Sequence, residues 1–225
     1  MKLAILLPGY LDSPDYLHFT IFTRRLNDLG YSVVRLDPCR VWQTGDTNDY
    51  SISHYLKDVR EVIDAHHSHD LEEVILIGHS LGGFVSIIAG SRFPEVSKII
   101  ALCPPARYDE YVKKWQDDGI RHSKRELPQN PDEFRIFSVP LAFALDARTY
   151  SAIEAVKSLH KPFMLFIGLE DTVVSPSVTE QLATAASNPY VIRKVGIGHD
   201  FRKSEQQTTI VMDEIEKFLS LQPHA

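Results

Sequence analysis

The stretch Val74-Ile75-Leu76-Ile77-Gly78-His79-Ser80-Leu81-Gly82-Gly83, running on to Arg92, decides the reading of this chain. Val74 to Ile77 is a short β-branched and aliphatic run with the length of a buried strand, and Leu81 to Arg92 has helical length and stops ahead of Pro94. Between them Gly78, Ser80 and Gly82 make a G-x-S-x-G pattern at a sharp strand-to-helix turn. A serine there is thrust up from the sheet in a strained backbone conformation, and only small residues fit two positions to either side. The pattern alone arises by chance, but on a strand-turn-helix it makes Ser80 a candidate nucleophile. The N–H groups and dipole of the new helix point toward any charge that forms beside it.

Outward from this turn, comparable strand-like runs lie at Leu3 to Leu7, Ser32 to Leu36, Ile99 to Leu102, Phe163 to Ile167 and Tyr190 to Val195. Helical stripes alternate with them. The first is predicted to start with Ser13 as cap and Pro14 at the first helical position, and carries Phe19, Phe22 and Leu26 before Gly30. The second carries Ile52, Tyr55, Leu56, Val59 and Ile63; another opens at Ser175-Pro176; the last has a capping box of Ser204 and Gln207. Such alternation predicts an α/β fold: a mostly parallel sheet of about six strands with helices on both faces, and a site at the carboxyl ends of the strands. The exception is the long connection from Cys103 to Phe163. Its part from about 106 to 148, rich in charges and aromatics such as Tyr108, Tyr111, Trp115, Phe143, Lys113, Lys114 and Arg121, is expected to be a cap inserted into a single domain, apolar side over the sheet edge near Ser80.

Composition limits the function classes. With 225 residues, 44% hydrophobic and 24% charged, the chain has the make-up of one globular domain. Thirty acidic against 24 basic side chains give a net charge of −6, which leaves no basic footprint for nucleic acid. The apolar start Leu3 to Leu7 ends at Pro8, too short for a signal peptide, and no run reads as a membrane span, so a cytoplasmic location is expected. Cys39 and Cys103 stand far apart with no C-x-x-C, arguing against a disulfide framework or a zinc site.

A serine hydroxyl needs a base to take its proton, and the base needs an acid to hold its tautomer. On a strand-to-helix serine turn of this kind the chain order is serine, acid, histidine. Gly168-Leu169-Glu170-Asp171-Thr172 ends the next-to-last predicted strand, and Gly196-Ile197-Gly198-His199-Asp200 ends the last. His199 is therefore the candidate base. Asp171 is the chosen acid, with Glu170 next to it and Asp109 after the fourth strand as rivals.

With Gly78 to Gly83, the acid loop Asp171-Thr172-Val173-Val174-Ser175-Pro176, and Gly198-His199-Asp200-Phe201, the chain resembles the α/β-hydrolase superfamily, and within it small serine carboxylesterases of the feruloyl or cinnamoyl esterase type. The resemblance spans most of the chain. It implies a cofactor-independent serine hydrolase acting on a small-molecule ester, with thioesterases, amidases and acyltransferases sharing the frame. It also implies an oxyanion hole made by the backbone N–H groups of Leu81 and Tyr10, although Pro8-Gly9-Tyr10 stands where such enzymes usually have His-Gly. His66, His67 and His69 lack a carboxylate at ligand spacing and read as a helix end, so no metal is expected. His79 reads as a packing residue, Asp37 as a loop acceptor, and the two cysteines as small buried hydrophobes.

Overall fold

The computed structural model describes residues 1–66, 70–108, 115, 119–186 and 190–221. Its strands are β1 (Lys2–Leu7), β2 (Tyr31–Arg35), β3 (Glu73–His79), β4 (Lys98–Leu102), β5 (Ile120–Leu127), β6 (Asn130–Pro140), β7 (Phe163–Gly168) and β8 (Tyr190–Val195). The helices are α1 (Leu17–Asp28), the short α2 (Val41–Thr44), α3 (Ile52–Ala65), α4 (Leu81–Arg92), α5 (Leu141–Ala147), α6 (Ala152–Lys157), α7 (Pro176–Ala185) and α8 (Glu205–Ser220). Six strands form one sheet in the order β2-β1-β3-β4-β7-β8, every neighbouring pair parallel. This is the expected α/β-hydrolase architecture, and all six strand-like runs of the sequence lie in it.

The period-2 alternation of side chains sorts the core into two layers. Leu3, Ile5, Leu76, Ile99 and Leu165 face one side, where Tyr55 and Val59 of α3, Phe84 and Ile88 of α4, Val156 of α6 and Leu182 of α7 pack. Ala4, Leu6, Ile75, Ile100 and Phe166 face the other, against Phe19, Phe22 and Leu26 of α1 and Val211, Ile215 and Phe218 of α8. Because β1, β3, β4 and β7 are covered on both faces, they read as continuous apolar runs. α4 is buried on every side from Leu81 to Gly90, which its sequence signals by lacking a polar stripe. On the opposite layer, Arg25 of α1 clamps α8 with a two-pronged pair to Glu216, at 2.7 and 2.5 Å, and a 2.6 Å contact to Asp213.

Two local expectations change. The first helix begins at Leu17, after Tyr16, instead of after Ser13. The Ser13 hydroxyl accepts from the amide of Asp15 at 3.1 Å and its carbonyl from that of Tyr16 at 3.3 Å, so the serine closes a tight turn in place of capping a helix. Within the 106–148 segment, β5 and β6 form an antiparallel hairpin outside the main sheet, joined by Pro128-Gln129. Its strands escape a hydrophobicity reading because β5 turns Arg121, Ser123 and Arg125 toward the body of the protein. Ser204 accepts from the Gln207 amide at 3.3 Å, as its capping position predicts, and Ser51 caps α3 by accepting from His54.

The join between sheet and α4 has no slack. A Cβ on Gly82 would stand 1.9 Å from the Leu7 carbonyl oxygen and 2.6 Å from that of Pro8, and one on Gly78 would stand 2.1 Å from the Gly82 carbonyl oxygen. These neighbours are backbone and cannot rotate away. Gly82→Ala is expected to lower unfolding free energy by about 3 kcal/mol, the upper end for overpacking. Gly83→Ala, whose nearest atoms lie at 3.0 and 3.1 Å, is expected to cost about 1 kcal/mol or less. Urea denaturation of the two variants measures the difference; equal midpoints would mean that the end of β1 retreats to make room.

Candidate active site

Ser80 stands between β3 and α4 with φ 53° and ψ −116°, a conformation strained for any residue with a side chain. The strain is held from both sides: the Ser80 amide donates to the Leu102 carbonyl at 2.8 Å, and its own carbonyl accepts from Phe84 at 3.0 Å. Gly78 and Gly82 allow the close approach just described. The loop after β1 lies directly alongside, since a Cβ on Gly9 would come 3.4 Å from the Ser80 Cβ. That loop is fixed by a turn from the Asp12 amide to the Gly9 carbonyl at 3.1 Å, by Tyr55 Oη donating to the Pro8 carbonyl at 2.9 Å, and by the Leu11 amide donating to Tyr50 Oη at 3.0 Å. The amides of Tyr10 and Leu81 have no protein acceptor among the described residues. Leu81 is the first residue of α4, where an amide has no intrahelical partner.

The structure brings His199 and Asp171 together: Nδ1 of His199 lies 2.7 Å from Oδ2 of Asp171. The other carboxylate oxygen accepts from the amides of Val173 and Val174, both at 2.8 Å, so the apolar pair after the acid orients it through its backbone. Burial pushes the Asp171 carboxyl up, but the His199 hydrogen bond and charge and the two amides outweigh this and hold it below its ordinary value. Glu170 is exposed and Asp171 buried, which separates the neighbouring rivals. Asp109, His67 and His69 lie outside the described residues, as do Tyr111, Lys113 and Lys114 of the 106–148 segment. Cys103 is buried against Asp171, and burial and that carboxylate raise its thiol well above the usual range; Cys39 is only partly buried. Asp37 is the loop acceptor expected, taking the amides of Trp42 and Gln43 at 3.0 and 2.9 Å. No group of metal-ligating side chains occurs among the described residues.

Ser80 and His199 border one cavity of about 360 Å³. It is less apolar than the sequence suggests. Tyr10, Tyr108, Trp115 and Phe143 supply aromatic wall, but the β5–β6 hairpin adds Arg121, Lys124, Arg125 and Glu126. The hairpin is tied to the loops of the site: Arg125 donates twice to the Tyr10 carbonyl, at 3.0 and 2.6 Å, and Arg202, three residues after His199, donates to Glu126 at 2.6 Å.

Beneath these ties lies a buried polar cluster that the sequence did not announce. Asp12, 5% exposed, stands 3.8 Å from both Arg202 and Arg125 and 3.5 Å from Nδ1 of His79, whose Nε2 lies 3.1 Å from the His199 carbonyl oxygen. Burial pushes the Asp12 carboxyl up, but Arg202 chiefly, then His79 and Arg125, hold it far below its usual range. Burial lowers His79, with the nearby His199 and Arg202 adding to the effect against the pull of Asp12. His79 thus packs between the loop after β1, where it faces Asp12, and the carbonyl of His199. In a single sequence, Asp12 and Arg202 look like any loop charges; only their burial marks them.

The model of the alpha/beta hydrolase family matches residues 4–205. Among curated proteins, the mitochondrial palmitoyl-protein thioesterase ABHD10 of Mus musculus is 24% identical over 216 residues, 90% of this chain and 69% of that protein. The chain spans about two thirds of the length of the curated relatives it matches over most of its own. Among solved structures, Est1E of Butyrivibrio proteoclasticus with bound ferulic acid aligns with a TM-score of 0.74 at 18% identity, covering 97% of this chain and 88% of that one. Mouse alpha/beta hydrolase domain-containing protein 10 aligns with a TM-score of 0.70 at 20% identity, covering 96% and 89%. Spanning the sheet, the serine turn and the loops that end β7 and β8, the family match means that this chain belongs to the alpha/beta hydrolase family.

Proposed function

We propose that the protein is a serine hydrolase that cleaves small carboxylic esters through an acyl-enzyme on Ser80. The observation that carries this reading is the 2.7 Å Asp171–His199 contact, made at the edge of the cavity that Ser80 also borders. His199 Nε2 takes the Ser80 proton as the hydroxyl oxygen attacks the ester carbonyl carbon, and the amides of Leu81 and Tyr10 receive the oxyanion. Collapse of this intermediate breaks the ester bond, and the leaving alkoxide takes its proton from His199. Water, deprotonated by His199, then attacks the acyl-enzyme; the acid departs and Ser80 regains its proton. Asp171 keeps the imidazole in the tautomer that presents Nε2 and stabilises its charged form. No step draws on a cofactor.

In this reading the chain is one domain and the 106–148 segment its cap, with the β5–β6 hairpin forming one wall of the substrate pocket. A cytoplasmic setting fits two free cysteines, and among the described residues no helix is long and apolar enough to cross a membrane. A thioesterase reading uses the same residues; the similarity to a palmitoyl-protein thioesterase over 90% of the chain favours it as the second candidate. Parallel assays on matched oxygen esters and thioesters rank the two.

A fluorophosphonate probe is expected to label the native protein and not Ser80→Ala, because only an activated serine reacts. Ser80→Ala and His199→Ala should lower kcat by about 10⁴ to 10⁶, and Asp171→Asn by about 10⁴. Glu170→Gln, at an exposed position, should stay within about threefold. Turnover near the native rate in Ser80→Ala would overturn the mechanism.

A second expectation concerns pH and the Asp12 cluster. A carboxyl whose pKa is lowered by folding contributes stability that is complete above its unfolded value, 3.8 here, and lost as pH falls through its folded value. The native protein should therefore lose stability steeply below about pH 4. Asp12→Asn should be about 3 kcal/mol less stable at neutral pH, the scale for removing one partner of a buried ion pair, and should lose less on acidification. Urea midpoints of both proteins at neutral and acid pH test this; parallel acid slopes would assign the loss to other carboxylates.

A further inference from the structure

Among the described residues, the cavity in front of Ser80 is bordered by more cations than carboxylates, in a chain whose net charge is −6. Its carboxylates, Asp12, Glu126 and Asp200, are already engaged. Arg202 holds Glu126 at 2.6 Å, Asp200 at 3.4 Å and Asp12 at 3.8 Å. Lys203 reaches Asp200 at 3.3 Å and Glu126 at 3.6 Å. Arg125 is committed to the Tyr10 carbonyl. Arg121 and Lys124 remain, with no carboxylate within 4 Å among the described residues. Lys124 is exposed and sits 3.7 Å over the Phe134 ring.

Arg121 is the better placed of the two. Half-buried on the inward row of β5, its guanidinium lies 5.4 Å from the centre of the Tyr10 ring and 5.5 Å from that of Trp115. Both rings are themselves fixed: Trp115 donates Nε1–H to the Val139 carbonyl at 2.9 Å, and Tyr10 packs edge-on against Phe143 at 5.3 Å. Contacts with aromatic rings use the π system of a guanidinium and leave its N–H donors uncommitted. None of those donors makes a hydrogen bond to a described residue. Tyr10 follows Gly9 in the loop against Ser80, and this held cation borders the same cavity as Ser80.

We propose that Arg121 anchors an anion subsite, and that the preferred substrate bears a carboxylate or phosphate group at a distance from the bond cleaved. This rests on the hydrolase reading above and adds the substrate class. A planar cation whose parallel donors meet no acceptor among the described residues matches either oxyanion bidentately. A wholly apolar acyl chain would instead cover the guanidinium without pairing it, at a desolvation cost. Lys124, at the exposed side of the hairpin, adds to the attraction without a fixed geometry.

The experiment compares kcat/KM for the 4-nitrophenyl monoester of glutaric acid, the 4-nitrophenyl ester of 4-phosphonobutanoic acid, and neutral 4-nitrophenyl valerate. The native enzyme should favour at least one anionic ester, and which one identifies the oxyanion. Arg121→Gln should cut that anionic-to-neutral ratio by about 10- to 100-fold, the range for a hydrogen bond to a charged group, and Arg121→Lys should keep part of it. Arg148→Gln, which removes an exposed charge elsewhere, should leave the ratio as it was. A neutral ester preferred by the native enzyme, or a ratio that Arg121→Gln and Arg148→Gln shift equally, would overturn the subsite. Calorimetric titration of Ser80→Ala with glutarate and with methylphosphonate, with and without Arg121→Gln, reads the subsite without turnover. If the native enzyme hydrolyses none of the esters, the hydrolase reading fails while this titration still decides on the anion; absence of binding to Ser80→Ala would overturn the subsite alone.

Discussion

The contact on which this site depends is between backbones. α4 starts so close to the end of β1 that position 82 has room for a hydrogen atom and nothing larger, with the Leu7 and Pro8 carbonyls against it. The closeness forces the chain to turn within Ser80, whose φ of 53° and ψ of −116° are costly for a residue with a side chain. Buried strands on either side and an α4 buried from Leu81 to Gly90 supply the packing that holds this strain. The loop after β1 comes with the contact, because Gly9 is the only residue small enough to lie so near the Ser80 Cβ without displacing Asp12. One steric constraint thus places the serine, its helix N-terminus and the neighbouring loop together.

A second level of order is electrostatic. Asp12, Arg202, Glu126 and Arg125 connect three segments remote in sequence: the loop after β1, the loop after β8 that carries His199, and the β5–β6 hairpin. Each segment anchors apolar side chains in the core, Leu11 in the first, Ile197 and Phe201 in the second, Phe137 and Val139 in the third, and beyond those anchors something must join one segment to another. Charge pairing in a setting where Asp12 and Arg202 are almost free of solvent does so, because leaving either partner unpaired there is expensive. The hairpin thereby lines the cavity, adding Arg121, Lys124 and Arg125 to the Arg202 and Lys203 of the loop after β8.

The main sheet was legible in the sequence for a simple reason. Parallel strands covered on both faces must be apolar throughout, so Leu3 to Leu7, Val74 to Ile77 and Phe163 to Ile167 stand out as uninterrupted runs. The helices facing them carry apolar stripes or, for α4, no polar face at all. The start of α1 was misplaced by three residues because Ser13 can satisfy either a helix or a tight turn with the same hydroxyl, and the local sequence does not choose. The hairpin was invisible because one row of β5 presents Arg121 and Arg125 inward, reversing the usual relation between charge and exposure.

For the candidate site, sequence alone determined the turn at Ser80 and the strand ends that carry Asp171 and His199, because sterics at Gly78 and Gly82 and the strand-end position of each loop are local properties. It also favoured Asp171 as the acid, with Glu170 and Asp109 as rivals. Tertiary structure alone separates the two neighbours, by placing buried Asp171 2.7 Å from His199 and leaving Glu170 exposed, while Asp109 lies outside the described residues. It alone decided which of the 54 charged residues matter. Whether a charge is solvated, paired or aimed into a cavity depends on distances between segments such as 12, 121–126 and 202, and those distances exist only once the sheet has brought the loops together.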